Sequence, residues 1–274
     1  MICVFSALLC EALPLFSRFG LKQVYDYPFS GGVSDDGQIR VIITGIGKTN
    51  AAAAVSFACA KYGITKNDFL VNIGTCAGGA NRSGAYLINK ITDNDSGRNY
   101  YPDMLYKTGL PESEVTTVST VATEEMVAAA PDMLWEMEAS GFADSARLFV
   151  PPHRVQLIKA VSDSGAEEET DLTAEVLQGT IERSIDAIAN AIEVYLNVSP
   201  AEAEEDSPEG IYDDDFKCSE TMKHDLNKLM IYCKNSGRDA GGIITQMREE
   251  GIIPAPDRKR GKEALDEFKR RLLQ

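Results

Sequence analysis

The sequence predicts a three-layer α/β domain with a mixed, mostly parallel sheet, followed by a helical C-terminal extension. Three observations predict it. Short apolar runs of strand length do not alternate with polar residues, helical stretches separate them, and the composition changes abruptly after residue 198. Strands without alternation are buried on both faces, which a parallel sheet between two helical layers provides. With 274 residues, 44% of them hydrophobic, the chain can bury a substantial core.

Residues 2–7 form the first apolar run, and Glu11, Pro14 and Arg18 open a helix or turn behind it. Glycines and aspartates in 31–37 predict a turn, 39–44 a strand, and 51–62 an alanine-rich helix. Between that strand and helix stand Gly45, Gly47, Lys48 and Thr49. A phosphate loop would need a glycine where Ile42 lies inside the strand, and a dinucleotide fingerprint would need one at Asn50, so both are set aside. The glycines are read as allowing a tight turn and close helix approach. Residues 69–73 form the next strand, and the small residues of 74–79 predict a turn whose amides can approach a ligand. Strands follow at 85–92, 115–122 and 155–161, with a polar surface loop at 93–102. Residues 167–196 read as one long helix, apolar at Leu172, Val176, Ile181, Ile185, Ile188, Ile192 and Leu196.

Residues 1–198 therefore form the principal domain. Residues 199–216 carry eight acids and no Lys or Arg, the mark of an exposed acidic linker. Residues 217–274 carry 13 Lys and Arg against 9 acids. They hold three helical segments: a stripe of Leu226, Leu229, Met230 and Cys233, then 243–248 and 263–273. The segment is too short for a large core of its own.

A net charge of −15 disfavours nucleic acid and anionic membranes as partners and favours a small molecule or another protein. Six cysteines without a Cys-x-x-Cys pair and two histidines give no zinc pattern, so no metal is expected. The apolar start lacks a basic flank and is interrupted by Glu11. No run reaches the roughly 20 residues that span a bilayer, and a cytoplasmic protein with reduced thiols is expected.

Three acids stand where a ligand could sit. Glu138 lies in a segment apolar enough to be core, Asp163 follows a buried-type strand, and Glu11 lies just past the end of the first. Ligands of open α/β sheets bind at such strand ends. The plainer alternatives are a solvated helix face for Glu138, a helix cap for Asp163 and a dipole-favoured first-turn acid for Glu11.

Four segments carry a resemblance over residues 1–198: 7–11, Thr44-Gly-Ile-Gly-Lys-Thr-Asn-Ala-Ala, Asn72-Ile-Gly-Thr-Cys-Ala-Gly-Gly, and Glu136-Met-Glu-Ala with Ala160-Val-Ser-Asp-Ser. Together they resemble the purine nucleoside phosphorylases and nucleosidases, closest to the methylthioadenosine/S-adenosylhomocysteine nucleosidase and futalosine hydrolase branch. The resemblance implies a nucleoside phosphorylase-like fold, a homo-oligomer, a small-molecule nucleoside as substrate and no cofactor. It implies that Asp163 hydrogen-bonds the purine and helps protonate the leaving base, and that Glu138 binds the ribose hydroxyls above Met137. Ala77 and Gly78 line the base and ribose region, and Thr75 and Ser162 are further substrate-binding positions. The nucleosidases use a glutamate matching Glu11 to activate water, whereas the phosphorylases hold phosphate on arginines. Here Glu11 is present and Asn72 stands where one of those arginines would be, which favours hydrolysis over phosphorolysis. The 118–123 segment lacks the aromatic residue that stacks on the base in this branch, leaving Tyr100 and Tyr101 as candidates. A nucleoside-binding protein on the same fold is the remaining alternative.

Overall fold

The computed structural model describes residues 1–165, 172–198 and 212–272. The chain forms two compact units, Met1–Pro200 and Ala201–Gln274.

The first unit is built on β1 (Ile2–Ser6), every residue of which is buried. It lies parallel to both β4 (Ile39–Ile43) and β5 (Phe69–Gly78), and β10 (Val155–Asp163) runs parallel along the other edge of β5. The absence of polar alternation has a direct cause. Cys3 and Phe5 pack against α2 (Lys48–Tyr62) and α4 (Ala139–Ala146), while Ile2 and Val4 pack against α1 (Leu9–Phe19), α5 (Ala174–Arg183) and α6 (Ile185–Leu196). The parallel centre is therefore clad by helices on both faces, as the apolar runs predict.

The sheet is mixed toward its flanks. β6 (Ala85–Asp93) runs antiparallel to β10, β8 (Glu112–Thr117) parallel to β6, and β9 (Leu134–Glu136) parallel to β8. β9 then pairs antiparallel with the end of β5, Ala77 opposite Trp135 and Gly78 opposite Leu134. The strands β5, β10, β6, β8 and β9 thus close on themselves. At the other flank β2 (Lys22–Asp26) and β3 (Phe29–Val33) extend β4 antiparallel, and β7 (Asn99–Tyr100) pairs with β6.

Several elements differ from the sequence expectation. Residues 31–33 of the expected 31–37 turn belong to strand β3, and β2 is an edge strand whose largely exposed residues carry no burial pattern. The expected turn at 74–79 is strand as far as Gly78, because β10 lies along one edge of β5 and β9 along the other. The strand expected at 115–122 ends at Thr117. The long helix is two helices joined at Ser184, and its expected residues 167–171 lie outside those described.

The second unit has its own core, in which Phe216, Leu226, Ile244, Met247 and Phe268 are buried among α7 (Glu220–Ser236), α8 (Ala240–Glu249) and α9 (Arg258–Leu272). Asp239 caps α8 by accepting the Gly242 N–H at 2.8 Å. Of the acidic stretch, 199–211 lies outside the described residues, and Phe216 belongs to this core.

One close approach fixes α4 against α2. A Cβ at Gly141 would lie 2.1 Å from the Lys48 carbonyl oxygen, so only glycine lets the helices meet there. Gly141→Ala is expected to lower stability by about 1–3 kcal/mol, the usual cost of overpacking. An unchanged denaturant midpoint would contradict this contact.

Candidate active site

The C-terminal ends of β1, β5 and β10 open onto a cavity of about 200 Å³. Ala7, Leu8 and Glu11 line it from the β1–α1 junction, Thr75 to Ala77 from β5, Trp135 to Glu138 from the β9–α4 junction, and Ser162 and Asp163 from β10. The three candidate acids thus converge, although the first and last stand 152 positions apart in the chain. Of the other candidate positions, Thr75, Ala77, Met137 and Ser162 line the cavity too. Gly78 is not among the lining residues; it lies beneath Leu134.

Glu11 is 3% exposed. Its Oε1 accepts the Thr75 N–H at 2.7 Å and the Thr75 hydroxyl at 2.8 Å, and its Oε2 accepts the Leu8 N–H at 3.1 Å. Strand β5 and the first turn of α1 therefore hold this carboxylate jointly. Asp163 owes its position to an irregularity of register between Val161 and Asp163, where β10 bulges against β5. Such a bulge re-aims the side chains beyond it. The Asp163 carboxylate accepts the Ser162 hydroxyl at 2.5 Å and the Gly165 N–H at 2.9 Å.

Glu138 is 7% exposed, not on a solvated helix face. Its Oε1 accepts the N–H of Gly47 at 2.9 Å. Gly47 precedes α2 with φ of 99°, a conformation that glycine adopts freely, so the glycine turn serves to aim an amide at Glu138.

The floor holds a group that sequence reasoning missed. Lys159, on β10 and 1% exposed, places its Nζ 2.8 Å from Glu136 Oε2 and 3.9 Å from Glu138 Oε2. A Cβ at Gly74 would lie 3.2 Å from Glu11 Oε1 and 3.6 Å from Lys159 Nζ, so the ammonium also approaches Glu11. Glu136 is fully engaged, since its Oε2 also accepts the N–H groups of Glu138 and Ala139 while its Oε1 accepts the Thr117 hydroxyl. The signal available in the sequence was a lone lysine inside the apolar run 155–161.

One buried ammonium thus faces three buried carboxylates. Burial pulls the Lys159 pKa down, but Glu136, Glu138 and Glu11 more than offset it and the net shift is upward. Glu138 goes up as well, to about 7. Burial is the chief cause; Lys159 opposes it, while Glu136 and Glu11 add repulsion.

Trp135 supplies the one aromatic ring lining the cavity among the described residues, packed with Ala77, Ala122 and Val127. Tyr100 packs against the core and Tyr101 is 63% exposed; neither lines the cavity. No Lys or Arg lines it among the described residues, and none of their His, Cys, Asp and Glu side chains form a group of three placed for a metal. No described helix is long and apolar enough to cross a membrane.

No family model matches the chain, and no curated protein matches it in sequence. Solved structures do match. The 5′-methylthioadenosine/S-adenosylhomocysteine nucleosidase of S. pneumoniae, with a transition-state inhibitor, superposes with TM-score 0.59 at 17% identity, over 70% of this chain and 98% of that one. The apo 5′-methylthioadenosine nucleosidase of Arabidopsis thaliana gives 0.59 at 19% identity, over 72% and 96%. The 5′-methylthioadenosine/S-adenosylhomocysteine nucleosidase of Neisseria meningitidis, with methylthio-immucillin-A, gives 0.58 at 20% identity, over 70% and 98%. The chain has the nucleosidase fold. Within that fold the cavity described above lies at the C-terminal edge of the parallel strands, where α/β sheets bind ligands.

The Glu138 shift has a signed consequence for stability. With a native pKa near 7 against an ordinary 4.5, the folded state binds a proton that the unfolded state releases between those values. This contribution is present in full below pH 4.5 and is lost as pH rises toward 7. Glu138→Gln is expected to remove that slope and to gain on the order of 3 kcal/mol at pH 8 relative to pH 4, against the parent chain. Parallel stability curves for parent and variant would refute the assignment.

Proposed function

We propose that the chain is a nucleosidase that hydrolyses the N-glycosidic bond of a purine nucleoside. The observation that carries this reading is the convergence of Glu11, Glu138 and Asp163 on one cavity that no Lys or Arg lines among the described residues. Glycosidic cleavage proceeds through an oxocarbenium-like sugar, so it calls for an acid at the leaving group, a carboxylate that activates water, and negative charge near the ribose. A phosphate nucleophile would need cationic side chains facing the cavity. Lys159 is instead committed beneath the floor to Glu136.

In this reading Asp163, at the rim of β10, hydrogen-bonds the purine and passes it a proton as the bond breaks. Ser162 and the Gly165 amide orient its two oxygens. Glu11 orients and deprotonates the attacking water, its own direction fixed by Thr75. Glu138 accepts hydrogen bonds from the ribose hydroxyls, with Met137 beneath the sugar. Trp135, beside Ala77 and Ala122, offers the base an aromatic face. Methylthioadenosine, adenosylhomocysteine and futalosine are the substrate types favoured, the first two being the compounds for which the structural neighbours are named.

Release of free base from a panel of these nucleosides, with inosine and adenosine, is expected without phosphate. Cleavage strictly dependent on phosphate would overturn hydrolysis. Glu11→Gln and Asp163→Asn are each expected to lower kcat by roughly 10²–10⁴-fold, the usual contribution of a positioned acid or base. Trp135 is the only tryptophan of the chain, so its fluorescence reports ligand binding directly. Asp163→Asn should keep the fluorescence response to nucleoside while losing turnover; a parent chain that gives the response without turnover is a binding protein. Because Glu138 must be ionised to accept from the ribose, kcat/KM is expected to fall as pH drops through about 7. A profile flat from pH 8 to 5.5 would remove Glu138 from this role.

A further inference from the structure

The opposite end of the parallel strands holds a second cavity, of about 190 Å³. It is walled by residues at the N-terminal ends of β1 and β5, by the residue before β10 and by the end of α6. That residue before β10 is Arg154, only 3% exposed. Its guanidinium lies 4.4 Å over the Phe69 ring, and Phe69 in turn stacks on Tyr195 at 4.9 Å.

Among the described residues no carboxylate pairs with Arg154 and no acceptor takes a hydrogen bond from its side chain, whose Nε is buried and unsatisfied. The nearest acid on the wall, Asp68, is already engaged. Its Oδ1 accepts the Met1 nitrogen at 2.7 Å, and its Oδ2 accepts the Thr65 N–H at 2.7 Å and hydroxyl at 2.8 Å. Gln38 and Asn67 also line the cavity.

A guanidinium stays charged at any pH at which the protein is folded, and an unpaired charge is among the costliest groups to bury. The aromatic face of Phe69 offsets part of that cost and supplies no acceptor for the N–H groups. The space amounts to roughly six waters at about 30 Å³ each, enough for a small anion with some of its hydration. We propose that this cavity binds a small oxyanion, inorganic phosphate or a carboxylate, on the planar fork of Arg154, with Asn67 and Gln38 completing its hydrogen bonds. The anion sits at the other end of β1 and β5 from Glu11 and Thr75. Its occupancy stabilises the folded chain by mass action and takes no part in turnover.

Equilibrium dialysis of the full chain at constant ionic strength, with labelled phosphate and labelled succinate in parallel, tests this. One equivalent of phosphate or of succinate per chain is expected, and which of the two binds assigns the source. Arg154→Met is expected to weaken that binding at least tenfold, with an equal or higher thermal midpoint in anion-free buffer because the unpaired charge is gone, and with unchanged base release. Arg154→Lys keeps the charge without the fork and serves as the comparison if the methionine variant does not fold; its affinity should also fall at least tenfold. Binding of neither anion by the parent chain overturns the proposal. So does binding that is undiminished in the folded variant, since the anion would then sit elsewhere, the reaction cavity included.

Discussion

The charge balance of the cavity floor rests on one ammonium group, that of Lys159. Three carboxylates approach it, and all four residues are buried. A buried lysine is stable only when paired, and breaking such a pair leaves an uncompensated charge worth several kcal/mol. Glu136 takes the direct ion pair and is tied by two backbone amides to the start of α4. Glu138 is left with the weaker share of Lys159, too little to offset its burial, and its proton affinity rises. Two glutamates two residues apart, both on the cavity wall, are therefore held differently, Glu136 by the ammonium and two amides and Glu138 by the Gly47 amide.

Around this cluster the polar contacts form a connected frame. The Thr117 hydroxyl donates to Glu136 and accepts the Ser140 N–H, while Ser140 donates to Asp93 at 2.6 Å. Burial alone would raise the Asp93 pKa, but hydrogen bonds from Ser140, Ser96 and Lys48 hold it well below the usual carboxylate range. Lys48, at the start of α2, bridges Asp93 and Asp95 at 3.0 and 2.5 Å. The glycine turn before α2 is thereby anchored to the β6 end, with Gly47 at the right place to donate to Glu138. The contact at Gly141 serves the same purpose from α4.

The two ends of the parallel strands carry opposite chemistry. At their C-terminal ends carboxylates gather around a cavity that no Lys or Arg lines among the described residues. At their N-terminal ends a single guanidinium lies buried without a counter-charge among the described residues. The body between them is apolar and packed on both faces, so each end is electrostatically its own environment.

Much was determined by sequence alone. The apolar runs at 2–7, 39–44, 69–73 and 155–161 specified buried parallel strands, because a strand covered by helices on both faces exposes neither side to water and is therefore predominantly apolar. Glu11, Glu138 and Asp163 were visible as acids out of keeping with their surroundings. What only the tertiary structure decided are the features that depend on distant neighbours. The continuation of β5 through small residues to Gly78 requires β9, more than fifty residues later in the chain, to pair with it. The aim of Asp163 depends on a bulge in pairing, and periodicity within one strand cannot reveal a slip against another. Lys159 stands in the sequence only as a lone charge inside an apolar run, and its meaning depends on Glu136, Glu138 and Glu11 being folded around it. Arg154 gave no sequence signal, since the burial of a charge without a partner among the described residues is a property of the folded surroundings and not of the residue.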